Sequence, residues 1–315
     1  VSLTPWIAFV AACDRGTLGA VAQDLGYTQS AVSRQIASLE QELGASLLER
    51  LPRGVRPTHA GAAVLVHARL LVAEADRAGR VARTPGVARH VAIGAVPSMA
   101  IALVPAALPP SDKAMSWSLV VDLTPALLER VAGHELDLAV VTDAPPGLPP
   151  TPAGIELSPL LEDPMGVLLP VDSGLGNRVC LDDLVDRRWL EDNPGSRTLL
   201  QQTAARGGLV LDIDLVGGDL MTKVALVAAG HGIALVPSSL AASLRPDVRL
   251  AELVDAPVRH VFAASRSGEA GPRQLVEQLT AMGQSLRSST GPSGELSGTG
   301  PAWFNDPEAK PAAST

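Results

Sequence analysis

The sequence predicts three units in series: an all-α N-terminal unit of winged helix-turn-helix type, a long linker helix, and a two-lobed α/β body. Three observations carry this expectation. Before residue 44, apolar residues recur at helical spacing in three short runs, parted by Gly16 and by Gly26-Tyr27. From about Ala60 to Arg83 a single helical pattern continues. Beyond residue 87, strand-like and helix-period segments alternate, as they do in α/β folds.

The composition permits a large core. Of 315 residues, 46% are hydrophobic and 18% charged, which excludes wholesale disorder, while the 3% aromatic content leaves Leu, Val and Ala to fill that core. The formal net charge of -8 argues against nucleic acid for the chain taken whole. Its distribution argues otherwise. Residues 1–90 hold ten Arg, no Lys and seven acids, whereas the remainder holds 15 basic and 26 acidic residues. A mildly basic N-terminal unit on an acidic body suits a DNA-contacting module carried by something else.

Cys13 and Cys180 are far apart, and the six His are scattered singly, so nothing points to a metal site. Two isolated thiols fit a reducing cytoplasm, either as core residues or as a redox pair. Val10-Ala11-Ala12-Cys13 resembles a lipoprotein cleavage box, but it lacks a basic flank and Pro5-Trp6 interrupts its apolar run. Val91–Pro110 is uncharged, yet Gly94, Pro97 and Pro105 break it into strand, turn and helix rather than a membrane span.

Taken in order, Leu3, Trp6, Val10 and Cys13 form the apolar stripe of a first helix that Gly16 stops. Thr17 caps a second helix to about Leu25, and Thr28 caps a third. In the third, Val32, Ile36, Leu39 and Leu43 share one face, while Ser30, Ser33, Arg34 and Ala37 share the other, with Gln29 at its edge. Helix, glycine turn and helix make the helix-turn-helix pattern. The polar face has the chemistry of a major-groove reader: Arg forks onto guanine, Gln grips adenine, and Ser donates to bases or phosphates. Thr28 and the helix start present N–H groups to phosphate. Arg50, Arg53 and Arg56 follow in LERLPRGVRPTHAG, a short β-wing whose guanidiniums can hold the flanking backbone. On spacing alone, a solvated three-helix bundle accounts for the same pattern.

The run Gly16–Gly61, GTLGAVAQDLGYTQSAVSRQIASLEQELGASLLERLPRGVRPTHAG, resembles the N-terminal domain of LysR-type transcriptional regulators. The order is the same: a G-S/T start, A-x-x-L-G, S/T-Q-x-A-V-S-x-Q-I-x-x-L-E, L-G-x-x-L-F-x-R and T-x-A-G. Leu18 and Leu48 stand where Phe is usual, Val21 where Ala is usual and His59 where Glu is common; no polar recognition position is lost.

Thr58 caps the linker helix, about 36 Å long at 1.5 Å per residue. Its stripe of Val64, Ala68, Leu71, Ala75 and Ala78 predicts pairing with a second copy, and Thr84-Pro85-Gly86 ends it. In the body the expected strands are 90–95, 116–122, 136–141, 164–169, 212–216 and 233–236. The expected helices are 99–108, 125–132, 197–206 and 220–229. The Pro/Gly-rich stretch Asp143–Gly154 divides two subdomains. IGAVPSMAIALVPAAL, HELDLAVV, DPMGVLLP, LDDLVDRRWL and VALVAAGHGIALVP make this body similar to the LysR-type effector domain. That resemblance implies two Rossmann-like lobes of periplasmic-binding-protein type.

The expected division is 1–59, 60–86 and 87–287, with lobes at about 87–150 plus a C-terminal return and 155–260, then a disordered tail at 288–315. Family position and the convergence of strand ends and helix starts on an interlobe cleft point to Ser98, Thr124, Thr142, Asn193, Ser196 and Gly218. Helix caps and tight turns are the plainer roles for these residues. Arg197, at a helix start, is either a fixed charge for an anion or a partner of Glu191 or Asp192.

The resemblance implies a cytoplasmic regulator without cofactor, metal or catalytic residues, outside any membrane. It implies a homodimer that assembles into a tetramer on double-stranded DNA carrying an interrupted inverted repeat. A small-molecule effector controls it, and an activator would also contact RNA polymerase; the hydroxyls, amide and helix starts among the cleft candidates favour an anion, best read as a carboxylate. The competing reading is a solute-binding lipoprotein of the same two-lobed fold, anchored through Cys13. An enzyme has no GxGxxG, P-loop or Ser/His/Asp constellation behind it.

Overall fold

A computed structural model describes residues 2–83, 89–108, 115–143, 148, 150–268 and 273–289. Of the tail expected to be disordered from 288, Ser288 and Ser289 complete the last helix, while 290–315 lie outside the described residues, as do the linker at 84–86 and most of the loop at 144–149.

The N-terminal unit is α1 (Thr4–Arg15), α2 (Leu18–Leu25), α3 (Gln29–Leu43), and a hairpin of β1 (Leu48–Leu51) and β2 (Gly54–Pro57). Gly16 and Gly26 end their helices in the left-handed conformation. Thr17 and Thr28 cap α2 and α3 by accepting the Ala20 and Ala31 N–H groups. Val32, Ile36 and Leu39 are buried as expected, but Leu43 is exposed, because the chain turns away at Gly44 before anything covers the last turn. Glu40 fastens the hairpin to α3: its Oε1 accepts the N–H groups of Leu47 (2.7 Å) and Leu48 (3.1 Å).

The linker helix α4 (His59–Arg83) starts under Thr58, whose hydroxyl accepts the Gly61 N–H at 2.9 Å and donates to Ser46 O at 2.7 Å. A Cβ on Gly61 would come within 1.9 Å of Leu47 O, so only glycine lets the helix start press on the wing.

The body continues with β3 (Arg89–Ala95), α5 (Pro97–Ala102), α6 (Val104–Ala107), β4 (Met115–Val121), α7 (Thr124–Ala132) and β5 (Leu138–Thr142). Next come β6 (Ile155–Pro170), β7 (Arg178–Val179), β8 (Arg188–Glu191), α8 (Pro194–Arg206), β9 (Asp212–Leu215), α9 (Leu220–Ala228) and β10 (Ala234–Pro237). It closes with β11 (Val248–Leu253), β12 (Val258–Arg266) and α10 (Arg273–Ser289). The helix expected over 99–108 is split at Leu103, ahead of Pro105, into α5 and α6.

Two sheets share one strand. β3 pairs with β4 and β5 in parallel, and β12 returns antiparallel to β5. β6 runs along β12 with its first half and along β10 and β11 with its second. Residues 155–161 therefore pair within the first lobe, although 155–260 was expected to lie in the second, and β12 forms the C-terminal return expected in the first. A strand longer than one sheet is wide has to cross between them.

The first lobe packs Ile93, Met99, Leu127, Leu136 and Leu138 against Leu275 and Leu279 of α10. The second buries Trp189, Leu200 and Leu235 on one face of its sheet and Val224, Val227 and Val236 on the other.

Candidate nucleic-acid interface and ligand cleft

α3 stands at the surface of its unit. Thr28, Gln29, Ser30, Arg34 and Ala37 are exposed along one face, and Ser33 is half-buried. The side chains are partly spoken for. Thr28 Oγ1 and Ser30 Oγ lie 3.0 Å apart, Arg34 Nε donates to Ser30 O at 3.3 Å, and Arg50 Nη2 donates to Ser33 Oγ at 2.9 Å. Arg50 therefore ties the wing to α3 from β1. Arg56 pairs across the hairpin with Glu49, opposite it in register, so it is not the free guanidinium the sequence implied. An exposed pair of this kind is worth only about 0–1 kcal/mol and yields to a phosphate. Arg53, at the hairpin tip, is exposed.

The linker-helix stripe divides. Ala68 is fully buried, and Val64 half-buried, against Trp6, Phe9 and Leu39 of their own unit, because α1 lies along that face. Ala75 is half-buried as well. Of the five residues read as a seam, Leu71 and Ala78 are exposed, and Leu71 borders an open apolar strip of Ala63, Val66 (59% exposed) and Leu70 (37%). The i, i+3, i+4 pattern was read correctly as apolar, but one helix carries two such faces here.

Between the lobes lies a cleft of about 290 Å³, at the small end of ligand pockets, lined by the starts of α5, α7 and α8 and by α9. Ser98, Thr124, Thr142, Asn193 and Ser196 all line it. Gly218 does not: it sits at φ +134° in the turn before α9, which is its plainer role.

The five differ in what they have left to offer. Thr124 Oγ1 donates to Thr142 O (2.9 Å) and accepts the Thr142 N–H (3.2 Å), locking α7 to β5 rather than capping a helix. Asn193 is the cap of α8, its Oδ1 accepting the Ser196 N–H at 2.9 Å, and Ser196 Oγ donates back to Asn193 O at 3.0 Å. Ser98 (6% exposed) and Thr142 (8%) are buried, and neither hydroxyl bonds to any described residue.

Charge enters the cleft from residues the sequence reading did not single out. Lys223 of α9 is buried and pairs with Glu191 Oε2 (3.1 Å) and Asp192 Oδ1 (2.8 Å), while also donating to Leu235 O (3.2 Å). Burial works against its charge, but the attraction of Glu191 and then Asp192 prevails and raises the pKa above the ordinary lysine value. Arg259 of β12 donates from Nε (3.1 Å) and Nη2 (2.8 Å) to buried Asp163, which also accepts from Ser239. Arg197 neither lines the cleft nor pairs with Glu191 or Asp192, which Lys223 already holds; its Nε is buried without a partner. A lone Lys in the apolar run LMTKVALVA was the available signal for Lys223.

Residues 4–62 match the family described as bacterial regulatory helix-turn-helix protein, lysR family, and residues 84–284 match the LysR substrate binding domain. The chain belongs to the LysR family. It is a DNA-binding transcription regulator with an effector-binding domain, and LysR-type regulators are not enzymes. It is 32% identical over 261 residues to the HTH-type transcriptional regulator TfdS of Cupriavidus pinatubonensis, covering 79% of this chain and 86% of that one. It is 30% identical over 244 residues to the nitrogen assimilation regulatory protein nac of Escherichia coli, covering 75% and 78%. Full-length CbnR in complex with its target DNA shares the fold, with a TM-score of 0.59 at 24% identity over 90% of this chain and all of that one.

These LysR-type relatives overturn the lipoprotein reading, and so does the place of Cys13. It lies within α1, half-buried against the helical core, and burial first, then Asp14, pushes its thiol up to about 11. Among the described residues there is no cluster that could hold a metal, and no helix is long and apolar enough to cross a membrane.

Proposed function

We propose that this LysR-type regulator reads DNA through α3 and the wing, as a cytoplasmic homodimer that doubles to a tetramer on an interrupted inverted repeat. Gln29, Ser30 and Arg34 read base edges, Thr28 and Ser33 position the helix start, and Arg50, Arg53 and Arg56 hold the flanking phosphates. Residues 1–59 form the reading unit, 60–86 the coupling segment and 87–287 the sensor, and an activating role adds RNA polymerase as a partner. The exposed polar face of α3, braced from below by Glu40 and from the side by Arg50, is the observation that carries this reading. The seam uses the open strip of Ala63, Val66, Leu70 and Leu71. Two reading helices then stand about 34 Å apart, one turn of DNA.

Arg34→Ala is expected to cost about 1–3 kcal/mol at the specific site and to relax base preference there. Arg53→Ala should instead weaken all sequences alike and lower the salt slope by about one unit. Binding titrations on selected and scrambled duplexes at several salt concentrations separate the two. Unchanged sequence preference in Arg34→Ala would remove it from the reading face.

The effector is a small carboxylate. Ser98 and Thr142 offer buried hydroxyls with no other bond to make, Arg259 has Nη1 to spare, and the first turns of α7 and α8 open on the same space. Ser98→Ala is expected to weaken effector binding by about 0.5–1.5 kcal/mol while leaving effector-free DNA binding intact. Calorimetry on the full chain with small carboxylates checks this, and exclusive binding of neutral or cationic compounds would refute it.

A further inference from the structure

The cleft contains more negative charge than a carboxylate-only ligand can use. Four charged residues line it: Asp143, Asp192, Lys223 and Arg259. Lys223 has three N–H donors, and Glu191, Asp192 and Leu235 O take all three, so none remains for a ligand. Arg259 is balanced by Asp163 behind it. Asp143 is held on both oxygens by His260, from its backbone N–H (2.6 Å) and its Nδ1 (2.7 Å).

Asp192 is different. Its Oδ1 meets Lys223, Asn193 Nδ2 (3.2 Å) and Ser196 Oγ (3.4 Å), whereas its Oδ2 meets none of the described residues. One ammonium facing two carboxylates, Glu191 and Asp192, leaves a surplus negative charge, and the free oxygen that carries it belongs to a cleft-lining residue whose side chain is only 9% exposed. That oxygen opens on the cleft rather than being sealed in the core, and a cation seated there balances the surplus.

We infer that the cleft is built for a small zwitterion, an amino acid whose carboxylate meets the Ser98 and Thr142 hydroxyls and whose ammonium meets Asp192 Oδ2. This rests on the carboxylate reading above and adds the second charge to it. A cleft of about 290 Å³ accommodates a molecule of amino-acid size. Lys223 acts as a positioning residue that holds the Asp192 carboxylate in place through Oδ1.

The test uses the full chain and matched probes that share a carbon skeleton. One set is L-leucine, 4-methylpentanoate and 3-methylbutylamine; another is 4-aminobutanoate, butanoate and propylamine. The same scheme extends to the other common amino acids. Thermal shift screens the sets and calorimetry gives the constants. At least one amino acid is expected to bind about tenfold or more tightly than its deaminated acid, the scale of one charge-assisted hydrogen bond. Asp192→Asn should erase that gap, and Ser98→Ala should weaken amino acid and acid alike. The comparison of probes on the parent protein stands even if the Asp192 variant folds poorly. Deaminated acids that bind the parent as tightly as the amino acids would overturn the zwitterion and leave the carboxylate reading standing. Amines that bind where no acid does, or no binding by any probe at millimolar concentration, would overturn both.

Discussion

Lys223→Met is expected to destabilise the chain by about 3–5 kcal/mol, because it leaves Glu191 and Asp192 together in the second lobe with no counter-charge. Glu191 is completely buried, and its other oxygen already accepts the Leu235 N–H at 3.0 Å, so it cannot turn to water. A Lys223→Met, Glu191→Gln double variant should recover part of the loss, since it removes one of the two stranded charges. Denaturant unfolding of the parent, both single variants and the double variant measures the coupling. A Lys223→Met protein that unfolds at the parent's midpoint would show that the pair contributes nothing.

The same ion pair sets an alkaline limit. The folded-state pKa of Lys223 is raised above 10.5, so its contribution is complete below the unfolded value and is lost as pH rises through the higher folded one. Stability of the parent should therefore fall above about pH 10.5, and that part of the fall should be missing in Lys223→Met.

The second large effect lies on the linker helix. A Val66→Asp, Leu70→Asp variant is expected to sediment as a monomer, because two carboxylates cannot be buried in an apolar seam without partners. Both residues are exposed in the single chain, so the substitution spares the monomer's own core. Losing the second reading helix removes the gain from linked binding, about 100-fold or more in operator affinity. Analytical ultracentrifugation and operator titration check the two halves separately. A variant that keeps the parent's sedimentation would move the seam off this face. Burial of Ala68 and Val64 within their own unit makes them unsuitable for the same test, since charge there would unfold the domain.

Much of the DNA-reading unit was legible in the sequence, for a physical reason. Its caps, glycine stops and apolar stripe act over three to seven residues, so Thr17, Thr28, Gly16 and Gly26 announce their roles locally. What the local pattern could not tell was which faces meet. The apolar character of α4 was plain, yet only the placement of α1 against Ala68 decides that the inward face is spent and the strip through Val66 is open.

In the body, β11 (VRLAEL) and α10 (RQLVEQLTAMGQSL) carry periodic signals, but only the pairing of β12 with β5 and the packing of α10 on the first core define where the chain returns. Five cleft residues were recognised from family position and from the tendency of helix starts to converge between lobes. The pairing of the charges in and behind the cleft was not. Asp163 comes from the shared strand β6, Glu191 from β8, Lys223 from α9 and Arg259 from β12, up to 96 residues apart in a single contact. Sequence alone determined that this chain has a helix-turn-helix whose third helix shows a polar face, and hydroxyls at the starts of its cleft helices. Only the tertiary structure decided which charges are paired and which carboxylate oxygen is left over, because a buried ion's partner is chosen by how the strands are brought together, not by its neighbours in the chain.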